Sequence, residues 1–369
     1  MHVRMRRIAS RILLVTAAAA ALAGSPARGQ LEGLVPPPRL QPLPAEALNL
    51  LAAAPAPAID HPPALDWRDA GIVTPPKHQL RCGACWAFAA VACVEAMAIK
   101  AGADPGLDLS EQYPISCDTL YHSYGGHSYR NDGCCGGTVL VFEFMLDWPA
   151  IPEAFYAYGD GDFDGAGPRA CSAEPDWNTI PCPTHLPPHT GWRVVQWHPL
   201  PADPTGVVPK GLLMDAIQQG PVWLGYEVFA DFVAYWVGGD PGTPYRRTGG
   251  ASLGFHAVLL IGYEEERNAW IVKNSWGAET GPFGDGTFMI DRDLHNCRFG
   301  MNAAIVTAVS GGEVALRPCC VGEDCQMLSS ADCIALGGDW MSEAEACEPN
   351  PCATPVRPTS LGRLKDLFR

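Results

Sequence analysis

A chain of 369 residues, 47% of them hydrophobic and 18% charged, is long enough for two globular domains. Its formal charge of −15 repels nucleic acid and anionic lipid, which excludes both as expected partners. Fifteen cysteines are too many for a reducing cytosol unless they bind metal, and 39 Gly with 35 Pro predict long loops rather than a helical bundle. The odd cysteine count suggests one free thiol and seven disulfides.

The first 23 residues read as an export signal. Arg4, Arg6, Arg7 and Arg11 precede an apolar run, Ile12 to Ala23, that ends in Ala21-Leu22-Ala23. The run is too short to span a bilayer, and no later stretch is long and apolar enough to do so. Export predicts a secreted, periplasmic or cell-surface protein. Residues 24–63 are rich in Pro and Ala and predict an extended lead-in or short pro-segment without a compact apolar pattern.

The ten residues from Gln79 to Phe88, Gln-Leu-Arg-Cys-Gly-Ala-Cys-Trp-Ala-Phe, carry the most chemistry. From Trp86 to Ile99 the chain has no Gly or Pro and is apolar on nearly every face, which predicts a buried helix with Cys85 in its first turn. The positive end of the helix dipole and the free N–H groups there favour a thiolate, the nucleophilic form. Taken alone, Cys82-Gly83-Ala84-Cys85 also suits a disulfide, a redox pair or half of a zinc site.

Further along, Asp108-Leu109-Ser110-Glu111-Gln112 places a hydroxyl where a helix N-cap is needed. Gly133-Cys134-Cys135-Gly136-Gly137 sets three glycines around two cysteines. Between these lie Tyr121 to Asp132, with His122 and His127, read as a solvated loop. Asp160, Asp162 and Asp164 alternate as in a calcium loop, but the twelfth position is Cys171 instead of Glu. An acidic turn is therefore the favoured reading, and no metal or cofactor is expected. From Trp192 the apolar runs shorten and alternate. Gly220 to Tyr226, Phe255 to Tyr263 and Ala269 to Gly277 read as strands of a second, strand-rich half.

Several of these motifs, in this order, resemble the papain-like cysteine peptidases. They are Cys82-Gly83-Ala84-Cys85-Trp86, Leu109-Ser110-Glu111-Gln112, the Gly133 to Gly137 turn, Gly220-Pro221-Val222, His256-Ala257-Val258 and Lys273-Asn274-Ser275-Trp276-Gly277. The resemblance covers about residues 64–310. It implies an α+β, two-lobed fold with a helical first lobe, an antiparallel barrel-like second lobe and a cleft between them. It implies a Cys85–His256 pair, with Asn274 orienting the imidazole and Trp276 shielding that bond. Gln79 and the Cys85 N–H would serve the oxyanion. It further implies disulfides Cys82–Cys134 and Cys117–Cys171, with Gly136 and Gly137 pairing to substrate backbone. Phe255 stands where the family usually has Asp or Asn, and Ala304 falls at the floor of the main specificity pocket. A bulky apolar substrate residue is expected there, one place before the residue whose carbonyl is attacked. The family's third disulfide lacks a recognisable pair, so Cys93, Cys135, Cys182 and Cys297 stay unassigned.

The expected activity is a secreted, monomeric cysteine endopeptidase acting on polypeptides. The alternatives are a catalytically silent binding protein on the same scaffold, or a transpeptidase that resolves the same thioester with an amine. Six cysteines from Cys319 to Cys352 predict a three-disulfide module over residues 311–352, followed by a basic tail, 353–369.

Overall fold

A computed structural model describes residues 39–49, 52–53, 61–118, 120–124, 127–159, 180–183, 190–293, 296–313 and 316–328, with scattered positions from 333 to 353. The export signal, the calcium-loop candidate, Cys171 and the basic tail lie outside the described residues.

The lead-in is more structured than its composition suggests. It contains a short helix, α1 (Ala45–Asn49), and Leu40, Leu43 and Leu48 are buried. The expectation of an extended segment with no compact pattern is corrected here, because three leucines set among prolines find a ready-made apolar surface on the body. Strand β1 (Ala64–Asp66) follows.

Helix α2 (Cys85–Lys100) forms the axis of the first half. It buries every residue from Cys85 to Ala98, including one charge, Glu95. Its Ala-rich sequence favours helix and allows close packing on all sides. It ends at Gly102, whose φ of +104° permits the left-handed turn that closes the last carbonyls. Helix α3 (Gln112–Cys117) is capped as expected, with the Tyr113 N–H donating to Ser110 Oγ at 3.1 Å. Tyr121 to Asp132 is a hairpin in place of the expected solvated loop. Its strands β2 (Tyr121–Tyr124) and β3 (His127–Arg130) pair antiparallel, and His122 is buried. Helix α4 (Val141–Asp147) completes this half.

The second half is built on strands β4 (Thr190–Pro199), β5 (Val222–Phe229), β6 (Ser252–Glu264), β7 (Ala269–Lys273), β8 (Thr287–Asp291) and β9 (Met301–Glu313), with helices α5 (Lys210–Ile217) and α6 (Ala230–Gly238). The strands form an antiparallel sheet in the order β4-β9-β5-β6-β7-β8, with β1 added beside β6. The sheet is open, which corrects the barrel-like expectation. One face packs on α2 through Trp223, Ala257, Leu259, Met301 and Ala304. The other encloses a second core around Tyr226, Phe232, Trp236, Trp276 and Phe288. The fold is α+β, as expected, and no described helix is long and apolar enough to cross a membrane.

Buried charges join the two halves. Lys77 Nζ lies 3.3 Å from Glu95, 2.6 Å from Asp108 and 3.0 Å from Glu111. Lys273 Nζ, at the end of β7, donates to Thr74 Oγ1 at 2.8 Å, and Thr74 donates to Glu95. Desolvation pushes Lys273 down to about 8 and Glu111 up to about 8. Removing one partner strands the others in a dry interior. Glu95→Gln is therefore expected to destabilise the chain by roughly 3–5 kcal/mol, read as a lowered urea midpoint with an unchanged slope.

Disulfides follow the sequence only in part. Cys82 pairs with Cys134 as the resemblance implies. Cys117 pairs with Cys182 instead of Cys171. The loop leading to Cys182 is fastened beside α3, where Ser116 Oγ donates to the Ile180 carbonyl at 2.7 Å, so Cys182 reaches Cys117. Cys93 and Cys297 are free and buried along with Cys85, which replaces the reading of a single free thiol. The terminal cysteines pair within their own module as Cys319–Cys333, Cys320–Cys352 and Cys325–Cys347. Strand β9 runs past residue 310, the expected edge of the catalytic region, to Glu313. The module's strands β10 (Arg317–Val321), β11 (Asp324–Leu328) and β12 (Asp339–Trp340) form a separate sheet.

Candidate active site

Cys85 opens α2 and lies against the second half, where the Ala257 N–H is among the groups that favour its ionisation. Ala257 directly follows His256 on β6, so the strand that meets the N-terminus of α2 is the one that carries the imidazole. The His256 Nε2–H donates to Asn274 Oδ1 at 2.8 Å, which sets the tautomer and leaves Nδ1 without a hydrogen-bond partner. Asn274 is itself held, since its Oδ1 accepts the Ser275 N–H at 2.8 Å and its own N–H reaches the Gly286 carbonyl. Trp276 lies against His256 with ring centroids 4.8 Å apart, covering the His–Asn bond. Tyr226, opposite His256 in the sheet, meets the ring edge-on at 5.8 Å. Sequence reading missed Tyr226 as a wall of the site, because only strand pairing brings it there.

Gln79 belongs to the first half but is tied to the second. Its N–H donates to the Ser275 carbonyl, and its Oε1 accepts from Ser275 Oγ at 2.7 Å. Its Nε2 donates one hydrogen to the Cys82 carbonyl at 2.9 Å. The other amide hydrogen is left for a ligand. These bonds tie Gln79, His256, Asn274 and Trp276 together, and Cys85 meets the same strand at Ala257. Among the described residues no group of His, Cys, Asp and Glu could hold a metal ion.

The cleft is filled by the lead-in, which crosses it as a strap. The Leu40 N–H donates to the Phe255 carbonyl and the Gln41 N–H to the Gly137 carbonyl, both at 2.8 Å. A Cβ on Gly136 would lie 2.1 Å from the Arg39 carbonyl oxygen, so glycine is required for this approach. The Leu40 side chain rests on Gly225 beside Met301, in the cluster that contains Ala304. Phe255 offers the cleft its main-chain carbonyl, while the Arg298 guanidinium stacks 5.5 Å from its ring. Beyond the cleft, Asn49 exchanges two hydrogen bonds with the backbone of Ala202, at 3.1 and 3.0 Å.

Leu40 pairs with Gly137 in parallel sense, and the neighbouring Arg39 main-chain N–H is among the groups that favour ionisation of Cys85. The strap also dries the site, since Cys85 and His256 are both fully buried. Burial pushes the Cys85 thiol up, against the N–H groups of Ala257, Arg39 and Trp86, and pushes His256 down to about 4 despite its bond to Asn274. Under the strap, burial thus favours the neutral thiol and neutral imidazole over thiolate and imidazolium.

Residues 61–307 match the family described as papain family cysteine protease. The chain belongs to that family. It is 32% identical over 243 residues to a viral cathepsin from Cydia pomonella granulosis virus, covering 64% of this chain and 59% of that protein. It is 34% identical over 260 residues to a senescence-specific cysteine protease from Arabidopsis thaliana, covering 67% of this chain and 62% of that one. The alignments thus span about three fifths of the length of these papain-family relatives. The digestive procathepsin L2 structure from Tenebrio molitor larval midgut superposes with a TM-score of 0.52 at 25% identity, over 75% of this chain and 80% of that one.

Proposed function

We propose that the chain is an exported cysteine endopeptidase whose residues 24–63 act as an inhibitory pro-segment. The observation that carries this reading is the Asn274-held His256, with Nδ1 free, on the strand whose Ala257 N–H faces Cys85 at a helix N-terminus. Once the strap leaves and water enters, the Cys85 proton passes to His256 Nδ1 and the thiolate attacks a peptide carbonyl. The Gln79 amide and the Cys85 N–H receive the developing oxyanion. His256 returns its proton to the leaving amine, then draws a proton from the water that hydrolyses the thioester. Asn274 holds the ring in place throughout. The surface that takes Leu40, formed by Gly225 and Met301 with Ala304 nearby, favours a bulky apolar residue one place before the attacked carbonyl's residue. Gly136 and Gly137 admit the substrate backbone. The disulfides suit folding outside the cytosol, and residues 1–23 direct export.

The test is cleavage of an unfolded protein by the processed chain beside Cys85→Ala. A loss of activity of at least about 10³-fold on that single change is expected. Equal activity in both proteins removes Cys85 as the nucleophile.

A further inference from the structure

Asn302 is a residue the catalytic scheme does not use, yet it is built as a reader of peptide backbone. It opens β9 with a φ of +53°, a left-handed conformation that Asn tolerates better than most side chains. It is 1% exposed. Its Oδ1 accepts the Leu43 N–H at 2.7 Å, and its Nδ2 donates to the Leu43 carbonyl at 3.0 Å. The carboxamide thus pairs with both polar groups of one extended residue, as a neighbouring strand would. It reads no side chain. Leu43 lies three residues beyond Leu40, roughly 10 Å along an extended chain.

We infer that the Asn302 carboxamide is a backbone-binding subsite that grips a polypeptide substrate at the fifth residue before the cleaved bond, so that long extended segments are preferred over short peptides. This rests on the proposed peptidase reading, in which the substrate residue that replaces Leu40 is the second before the bond. When the strap departs, both polar groups of a buried amide lose their partners, and a substrate leaving the pocket along the same path restores them. Direction is no obstacle. A chain running opposite to the strap interchanges the positions of N–H and C=O, which places a carbonyl where Arg39 now offers its N–H. A half-turn of the Asn302 amide about χ2 exchanges its donor and acceptor to match.

The test uses the full chain with Cys85→Ala to prevent turnover and Leu40→Asp with Leu43→Asp to unseat the strap. Fluorescent peptides with Leu in the second position and two to six residues before the bond are titrated by anisotropy. Peptides reaching the fifth residue are expected to bind roughly tenfold tighter than those ending at the third, the worth of two net hydrogen bonds. Asn302→Gly keeps the left-handed backbone and removes the amide; it abolishes that gain and leaves short-peptide affinity unchanged. N-methylation at the fifth residue has the same effect on the unsubstituted Asn302. A gain that persists in Asn302→Gly, or no gain with length while short peptides bind, overturns the subsite alone. Failure of every peptide to bind overturns both the subsite and the peptidase reading.

Discussion

Cutting the strap out of the cleft is expected to raise the alkylation rate of Cys85 by about 100-fold or more. Under the strap the thiol is fully buried, its ionisation is opposed by burial, and the neighbouring imidazole is held neutral by the same dryness. Only the thiolate reacts, so each unit by which the thiol pKa falls toward the assay pH multiplies its reactive fraction about tenfold. Opening the site admits water, which stabilises both charges, and the helix N-terminus then favours the thiolate. The measurement is iodoacetamide labelling at Cys85, followed by peptide mass spectrometry, in the intact chain and after limited proteolysis of residues 24–53. Cys93 and Cys297 are buried in the two cores and serve as internal controls, with labelling expected to stay slow in both forms. Equal labelling of Cys85 before and after would show that the strap does not protect the nucleophile.

In a Cys85→Ala chain, strap release is expected to become easier as pH falls, through His256; with the thiol present, the open thiolate–imidazolium pair holds one proton, as the strapped thiol does, and the dependence cancels. Its folded value of about 4 lies below the ordinary 6.5 because the strapped site is dry. A depressed value means that the strapped state binds fewer protons than the open state between those limits. The strap's hold is therefore complete above about pH 6.5 and weakens progressively as pH falls toward about 4. The full shift corresponds to roughly 3 kcal/mol, or a few hundred-fold in the open population. Other buried acids, such as Asp118, which burial raises to about 7, titrate in the opposite sense for global unfolding. The strap equilibrium weights His256 because the strap seals the His256 pocket. The check is hydrogen exchange of the Leu40 and Gln41 N–H groups in Cys85→Ala from pH 7 to pH 4, corrected for the intrinsic exchange rate. Open population that is flat with pH would remove His256 as the sensor. Asn302→Gly supplies a second arm, since loss of two strap hydrogen bonds should raise opening roughly tenfold at every pH without changing the slope.

Much of the site was legible in the sequence because its chemistry is written in contiguous motifs. A thiol in the first turn of an apolar helix, Gln79 six residues before it, a His on a strand and an Asn before Ser-Trp-Gly each have a local reason to be what they are. Hydrophobic runs without Gly or Pro likewise gave the buried α2, and alternation gave the strands of the second half. What the sequence left open depends on contacts between distant segments. The partner of Cys117 was decided by the placement of the Cys182 loop against α3. The strap could not be read from its Pro and Ala content, because Leu40, Leu43 and Leu48 have no surface of their own to bury against and acquire one only from the folded second half. The neutral state of Cys85 and His256 is a property of that covered cleft, not of either residue. Asn302 looks like an ordinary polar residue in a strand, and only the close approach of Leu43, 259 positions away, turns its amide into a backbone clamp. Local covalent structure determined which groups carry the chemistry; the tertiary structure decided their solvation, their pairing and what occupies the cleft, because burial and long-range hydrogen bonds exist only after the chain has closed on itself.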